Sequence, residues 1–194
     1  MKRGASSIRK RNGIIAALDI GTTKVCCLIA KYRPDRNGGE PFIIGIGHQV
    51  SNGLRNGAIV DLDQAESSVR ATVEAAEQMA GENIDNVIVN LNSGQRKSRL
   101  LAYEISIGGH EISSSDIRRI LDPTNFGRQE LETHELVHRI PIGYGVDGNR
   151  GIADPRGMFA ETLSVNLHIV TALRGQLRNL RTVVRRCHLG IEEI

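Results

Sequence analysis

Two aliphatic runs separated by only four residues constrain this chain more than any other feature. Ile14 to Ile20 (Ile-Ile-Ala-Ala-Leu-Asp-Ile) and Val25 to Ala30 each read as a buried strand, and only Gly21, Thr22, Thr23 and Lys24 lie between them. So short a link cannot carry a crossover, so the runs are expected to pair as an antiparallel hairpin. Beyond a polar stretch over 33–40, rich in Pro, Asn and Gly, Phe42 to Val50 reads as a third strand. The opening is therefore expected to be a three-strand meander. Aromatics make up 3% of the chain and Trp is absent, so its core must be built from Ile, Leu, Val and Ala.

A crossover helix follows. Leu62, Ala65, Val69, Val73, Ala76 and Met79 recur at three- and four-residue steps, which places them on one face. Asp61 stands at the N-cap with Gln64 three residues on, as in a capping box. Gly81 suits the left-handed position after the last turn. Val87 to Leu91 reads as a strand returning to the same sheet. From about residue 93 to 168 a separate compact unit is expected, with strands over 100–107, 135–142 and 163–173. It also holds a short helix over 113–121, capped by Ser113 or Ser114. Gly143, Gly145, Gly148, Gly151 and Gly157, with Pro141 and Pro155, read as ordered turns between its strands. A closing helix buries Leu173, Leu177, Leu180, Val184 and Cys187 and is ended by Gly190. Arg174, Arg178, Arg181 and Arg185 form a basic stripe about 100° round from that apolar face. It reads as a solvated surface, with contact to an anionic partner as the alternative. The fold class is α/β (α+β). Four parts are expected: a disordered basic tail over 1–12, a subdomain over 13–92, an insert over 93–170 and a returning helix over 171–194.

Composition excludes several functions. Hydrophobic residues are 40% and charged residues 24%, as in an ordinary soluble domain. A net charge of +3 from 25 basic and 22 acidic residues is too balanced for a dedicated nucleic-acid binder. Cys26, Cys27 and Cys187 have no CxxC spacing and read as reduced, buried thiols of a cytoplasmic protein. Apolar runs of about eight residues are far short of the ~20 that span a membrane. Lys2, Arg3, Arg9, Lys10 and Arg11 are followed by no signal-peptide core before Asp19. His134-Glu135-Leu136-Val137-His138 spells HExxH, but Arg139-Ile140-Pro141 after it favours a strand. There, residues four apart lie about 13 Å from each other, too far to share one zinc ion.

The chemistry sits at the hairpin tip. Phosphate oxygens need several N–H donors aimed at one spot, and a tight Gly turn lets the backbone come close. Gly21, Thr22, Thr23 and Lys24 meet that need, the two threonines adding hydroxyls. Asp19 cannot bind phosphate but can hold a hydrated Mg²⁺, which takes few direct carboxylates and keeps its waters. An acid before a Gly-Thr-Thr turn thus suits metal-bound nucleotide phosphates. It is not a Walker A loop, which requires GxxxxGK[ST]. No catalytic constellation accompanies it.

With these residues in view, the chain resembles the FtsA family of actin-like bacterial cell-division proteins. Asp19-Ile20-Gly21-Thr22-Thr23-Lys24-Val25 looks like the family's first phosphate loop. Gly45-Ile46-Gly47, Ser51-Asn52-Gly53-Leu54 and Asn56 to Asp61 look like its next strand and turn. Val69 to Gly81 and Ile84 to Leu91 look like its helix and strand. The blocks Ile140 to Gly148 and Gly151 to Met158 are the most specific. The resemblance implies a partial actin- or ribonuclease-H-like subdomain, with the second unit as the family's insert for protein contacts. It implies ATP and Mg²⁺ at Asp19, Gly21, Thr22, Thr23 and Lys24, the metal held by Asp19 through water. It further implies FtsZ and other divisome proteins as partners, self-association, and a place at the cytoplasmic face of the inner membrane at the division site. A scaffold is expected, not an enzyme. The family's second phosphate loop, adenine pocket, FtsZ-binding subdomain and C-terminal membrane helix are expected beyond this stretch. ATP binding by this chain alone is therefore expected to be weak or absent. A sugar-kinase-like phosphotransferase, which shares the first loop, is the alternative.

Overall fold

The computed structural model describes residues 13–32, 40–92, 96–122 and 133–194. The basic tail and most of the polar stretch over 33–40 lie outside the described residues. The chain divides into two compact units, one of residues 1–94 and 175–194, the other of 95–174.

In the first unit, β1 (Ile14–Ile20) and β2 (Lys24–Tyr32) form the expected hairpin, and β3 (Pro41–Val50) extends the meander. Helix α1 (Leu62–Ala80) crosses over to β6 (Asn86–Asn90), which pairs parallel to β1. Between β3 and α1 lies a small hairpin, β4 (Leu54–Arg55) and β5 (Ala58–Ile59), turned through Asn56 (φ 49°) and Gly57 (φ 77°). The closing helix α3 (Arg174–Arg186) leads to β11 (Gly190–Glu193), and the sheet order is β11-β6-β1-β2-β3.

Strand periodicity decides which residues face the helices. Ala16, Leu18 and Ile20 of β1, Val25, Cys27 and Ile29 of β2, and Val87 and Val89 of β6 are buried against Val69, Val73 and Ala76 of α1 and Leu180, Val183 and Val184 of α3. Each large aliphatic side chain so buried contributes roughly 1.5–3 kcal/mol. Cys27, enclosed here, has its thiol pushed up to about 12 by burial. The opposite sheet face carries Ala17 and, across from it, Leu28 and Ile46, which are 36% and 42% exposed.

Helix α1 begins as its sequence demands. Asp61 accepts from the amides of Asp63 and Gln64, both at 3.0 Å, and Gly81, at φ 65°, donates to the Glu77 carbonyl at 2.8 Å. Gln64 departs from a capping box: its Nε2 donates to the Asp61 carboxylate at 3.0 Å instead of its side chain accepting from the cap amide. Met79 also departs from its expected place and is 63% exposed, while Ala76 and Ala80 face the core. The cause is glycine. A Cβ on Gly45 would run into the Ala76 carbonyl and come within 2.8 Å of the Ala80 Cβ. The last turns of α1 therefore lie on bare β3 backbone and turn their small residues inward. Arg186 pairs with Asp63 at 2.8 Å and Glu66 at 3.4 Å, and Arg70 Nη2 donates to the Arg186 carbonyl at 2.9 Å, fixing α3 against α1. Within α1 Arg70 also pairs with Glu66 at 2.7 Å, and this bond, with the charges of Arg70 and Arg186, holds the Glu66 carboxyl below its usual range.

Helix α3 differs from its sequence reading at both ends. Leu173 belongs to the preceding strand, and the helix stops at Arg186. His188, at φ 60°, closes it, and Leu189 donates to the Val184 carbonyl at 3.3 Å. Gly190 starts β11 instead of ending the helix. A side chain there would meet Asn86 Oδ1, and its amide donates to the Asp85 carbonyl at 2.8 Å.

The second unit is a sheet of order β7-β10-β8-β9, from β7 (Lys97–Ser106), β8 (His134–Val146), β9 (Asn149–Ile152) and β10 (Thr162–Leu173). Helix α2 (Ser114–Ile120) adds Ile120 to a core of Leu163, Val165, Leu167 and Ile169. Its N-cap is Ser113, in a full capping box with Asp116. The bonds from the Ser113 hydroxyl and amide hold the Asp116 carboxyl below its usual range. Gly143 and Gly145, read as turns, instead lie within β8 opposite Asn166 and Ser164. The turn itself is Asp147 (φ 47°) and Gly148 (φ 82°), with Asp147 Oδ1 accepting from the Glu161 and Thr162 amides at 2.9 and 2.8 Å. Among the described residues, no helix is long and apolar enough to cross a membrane.

Candidate phosphate-binding hairpin

Asp19 is the next-to-last residue of β1, paired with Cys26 of β2 on one side and Asn90 of β6 on the other. It is partly buried, whereas Thr22, Thr23 and Lys24 are exposed at the tip. The Gly21 amide donates to the Lys24 carbonyl at 3.0 Å and closes the turn. A Cβ on Gly21 would stand 2.9 Å from that same carbonyl oxygen, so this tightness requires glycine. Thr22 Oγ1 accepts from the Gly57 amide at 2.8 Å, tying the tip to the β4–β5 hairpin and leaving its own O–H to donate. The Thr23 carbonyl accepts from the Ser51 amide at 3.1 Å. Among the described residues, the Thr22 and Thr23 amides meet no acceptor.

Three carboxamides complete the surroundings, and the sequence reading singled out none of them. Asn92 Nδ2 donates to Asp19 Oδ1 at 2.6 Å and reaches the Ile20 carbonyl at 3.3 Å. Asn90 Nδ2 donates to the same Asp19 oxygen at 3.1 Å. Gln176, in the first turn of α3, lines a cleft with Ile20, Gly57, Asn90 and Asn92, and its Oε1 is buried without a hydrogen-bond partner among the described residues. The only sequence signal was a pair of Asn residues two apart at a strand end, and the partners lie over 70 residues away.

These donors and acceptors fit a metal-bound phosphate. Unpaired amides and hydroxyls at the tip suit phosphate oxygens. A carboxylate held by neutral donors, with an unpartnered carboxamide oxygen in the adjoining cleft, suits a hydrated cation whose waters donate. Mg²⁺, when bound, would neutralise phosphate charge here. Asp19 would hold it through water, and Gly21, Thr22, Thr23 and Lys24 would face the phosphate.

The other sequence candidates lie elsewhere. His134 and His138 are both in strand β8, opposite Leu173 and Val170, not on a helix. Among the described residues, no group of three or more His, Cys, Asp or Glu is arranged to hold a metal ion. Arg178 and Arg185 are exposed on α3, and Arg185 Nε donates to the Arg181 carbonyl at 3.3 Å.

Residues 94–171 match the family described as the SHS2 domain inserted in FtsA. Cell division protein FtsA of Rhizobium meliloti is 42% identical over 191 residues, covering 94% of this chain and 43% of that protein. FtsA of Enterococcus faecalis is 32% identical, covering 95% and 41%, and FtsA of Pseudomonas aeruginosa is 29% identical, covering 93% and 42%. The chain thus spans less than half the length of these relatives. A solved PilM–PilN type IV pilus biogenesis complex matches with a TM-score of 0.59 at 11% identity, covering 93% of this chain and 46% of that one, a likeness of fold alone. With similarity along nearly its whole length and the inserted domain in its middle, the chain belongs to the FtsA family of cell-division proteins.

Proposed function

We propose that this chain is part of an FtsA-type division scaffold in which the Asp19–Lys24 hairpin holds the phosphates of Mg²⁺·ATP. ATP acts there as a conformational ligand, and the chain itself catalyses nothing. The unit over 95–174 offers contact surface to further copies and to other divisome proteins. FtsZ is a partner of the whole protein, which works at the cytoplasmic face of the inner membrane at the division site. The observation that carries the nucleotide reading is Asp19, held by two neutral amides beside a tip whose Thr22 and Thr23 amides meet no acceptor among the described residues. The sugar-kinase alternative would need a base for the accepting hydroxyl, which this hairpin lacks, and it draws no support from relatives that are cell-division proteins.

An actin-type site takes phosphate donors from two lobes, so one hairpin alone binds weakly, with a Kd in the millimolar range, about −4 kcal/mol. The test is a titration of the ¹⁵N-labelled chain with Mg²⁺·ATP, following amide resonances. The expected result is a saturable shift confined to Gly21–Lys24 and their neighbours, lost in Asp19→Ala. Unmoved hairpin resonances at millimolar nucleotide would overturn the reading.

A further inference from the structure

We infer that Asn92, assisted by Asn90, is a positioning residue that sets Asp19 to receive a hydrated divalent cation bound to phosphate. The inference rests on the nucleotide reading above and specifies how its metal is held. Asn92 uses both hydrogens of one amide: Nδ2 lies 2.6 Å from Asp19 Oδ1 and 3.3 Å from the Ile20 carbonyl. That bridge ties the carboxylate to the hairpin backbone, which a single bond to the side chain could not do. Asn90 adds a second N–H to the same Oδ1 at 3.1 Å. Both protein donors therefore crowd onto one carboxylate oxygen, and Oδ2 is left to accept from water on a metal ion.

The identity of the donors matters as much as their placement. Among the described residues, Asp19 has no ion pair, and its partners are neutral carboxamides. A Lys or Arg in their place would orient the carboxylate equally well but cancel the charge that attracts a cation. Neutral donors orient it and leave the full negative charge, as outer-shell partners of metal-binding carboxylates do. Asn92 also borders the turn, its Nδ2 lying 3.8 Å from where a Gly21 Cβ would stand, so the bridge fills the space behind the phosphate amides.

If Asn92 acts through the metal, its loss must weaken metal-bound nucleotide more than free nucleotide. If it only closes the end of β6 onto β1, both must weaken alike. The ¹⁵N-labelled chain and Asn92→Ala are titrated with ATP, with Mg²⁺ and with excess chelator, following the Gly21–Lys24 amides. We expect affinity for Mg²⁺·ATP to fall roughly tenfold, the lower end for loss of an outer-shell partner, and metal-free affinity by less than about twofold. Asn90→Ala, which removes one longer bond, is the second variant should Asn92→Ala lose native dispersion; its Mg²⁺-specific loss is smaller, about threefold. Equal losses with and without metal, or no loss in either variant, overturn the inference and leave the nucleotide reading standing. No hairpin response in the unmodified chain overturns both.

Discussion

Gly45 and Gly47 in the first unit and Gly148 in the second use the absence of a side chain in opposite ways. In the first, Gly45 and Gly47 are flat places in β3 on which α1 rests: a Cβ on Gly47 would overlap the Thr72 carbonyl oxygen and reach within 2.9 Å of the Ala76 amide. In the second, Gly143 and Gly148 have none of the described residues within 4 Å of an added Cβ. What Gly148 supplies there is backbone freedom, at φ 82° in the β8–β9 turn. At Gly45 and Gly47 glycine thus sets a distance between layers, and at Gly148 a dihedral angle. Packed layers cannot yield an ångström without losing contacts along their length, whereas a strained turn costs only its own torsion.

The largest expected effect tests the first half of that contrast. Gly47→Ala must lift α1 off β3 or distort both, at a cost of about 4 kcal/mol or more. That is a large share of the ~5–15 kcal/mol a whole domain has. Urea unfolding followed by circular dichroism should show the first unit lost or melting far earlier. A midpoint close to that of the unmodified chain would mean that the layers are not in firm contact. Gly148→Ala tests the other half. Its side chain has room, so the penalty is that of a left-handed residue, about 1–2 kcal/mol. Gly148→Asn, which tolerates that conformation better, should recover part of it. If Gly148→Ala proved as costly as Gly47→Ala, the distinction between distance and dihedral would collapse.

The same contrast explains what could be read from sequence. The β1–β2 hairpin, helix α1 and its Asp61 and Gly81 ends are written in neighbouring letters, because periodicity and caps act within a few residues. The α+β class follows from that alternation of strands and helix. Gly45 and Gly47 look like strand-weakening residues until the helix above them is seen, and Met79 kept its place in the apolar stripe only while that seat was unknown. The same holds at the phosphate hairpin. Asp19, Gly21, Thr22, Thr23 and Lys24 announce themselves as one short motif. Asn90, Asn92 and Gln176 reach the site only through β6, which pairs with β1 on the side away from β2, and through α3, both far along the chain from the hairpin. Strand β11 and the true end of α3 escaped notice for a related reason: His188 in the left-handed region does what Gly190 was expected to do.

Gly143 offers the finest test, because sequence and structure disagree about it most directly. Read as a turn residue, it would resist any side chain. In the sheet it lies within β8 opposite Asn166, its φ is not in the left-handed region, and the space beside it is open. A residue with a Cβ then loses less backbone entropy on folding than glycine and gives up nothing in the native state. Gly143→Ala should therefore be neutral or stabilise the second unit by about 0.4–1 kcal/mol. The neighbouring Gly145 supplies the control. Its Cβ would crowd Ser164 Oγ, the movable end of a side chain, and lie 3.2 Å from the Asn149 carbonyl oxygen. Gly145→Ala should cost more than Gly143→Ala, and the companion Ser164→Ala should recover part of that cost. Thermal melts of the single and paired variants measure both. A clear loss in Gly143→Ala would mean that the strand over 134–146 breaks where the sequence first placed a turn, and the bulge between Asn166 and Leu167 would then mark the end of regular pairing.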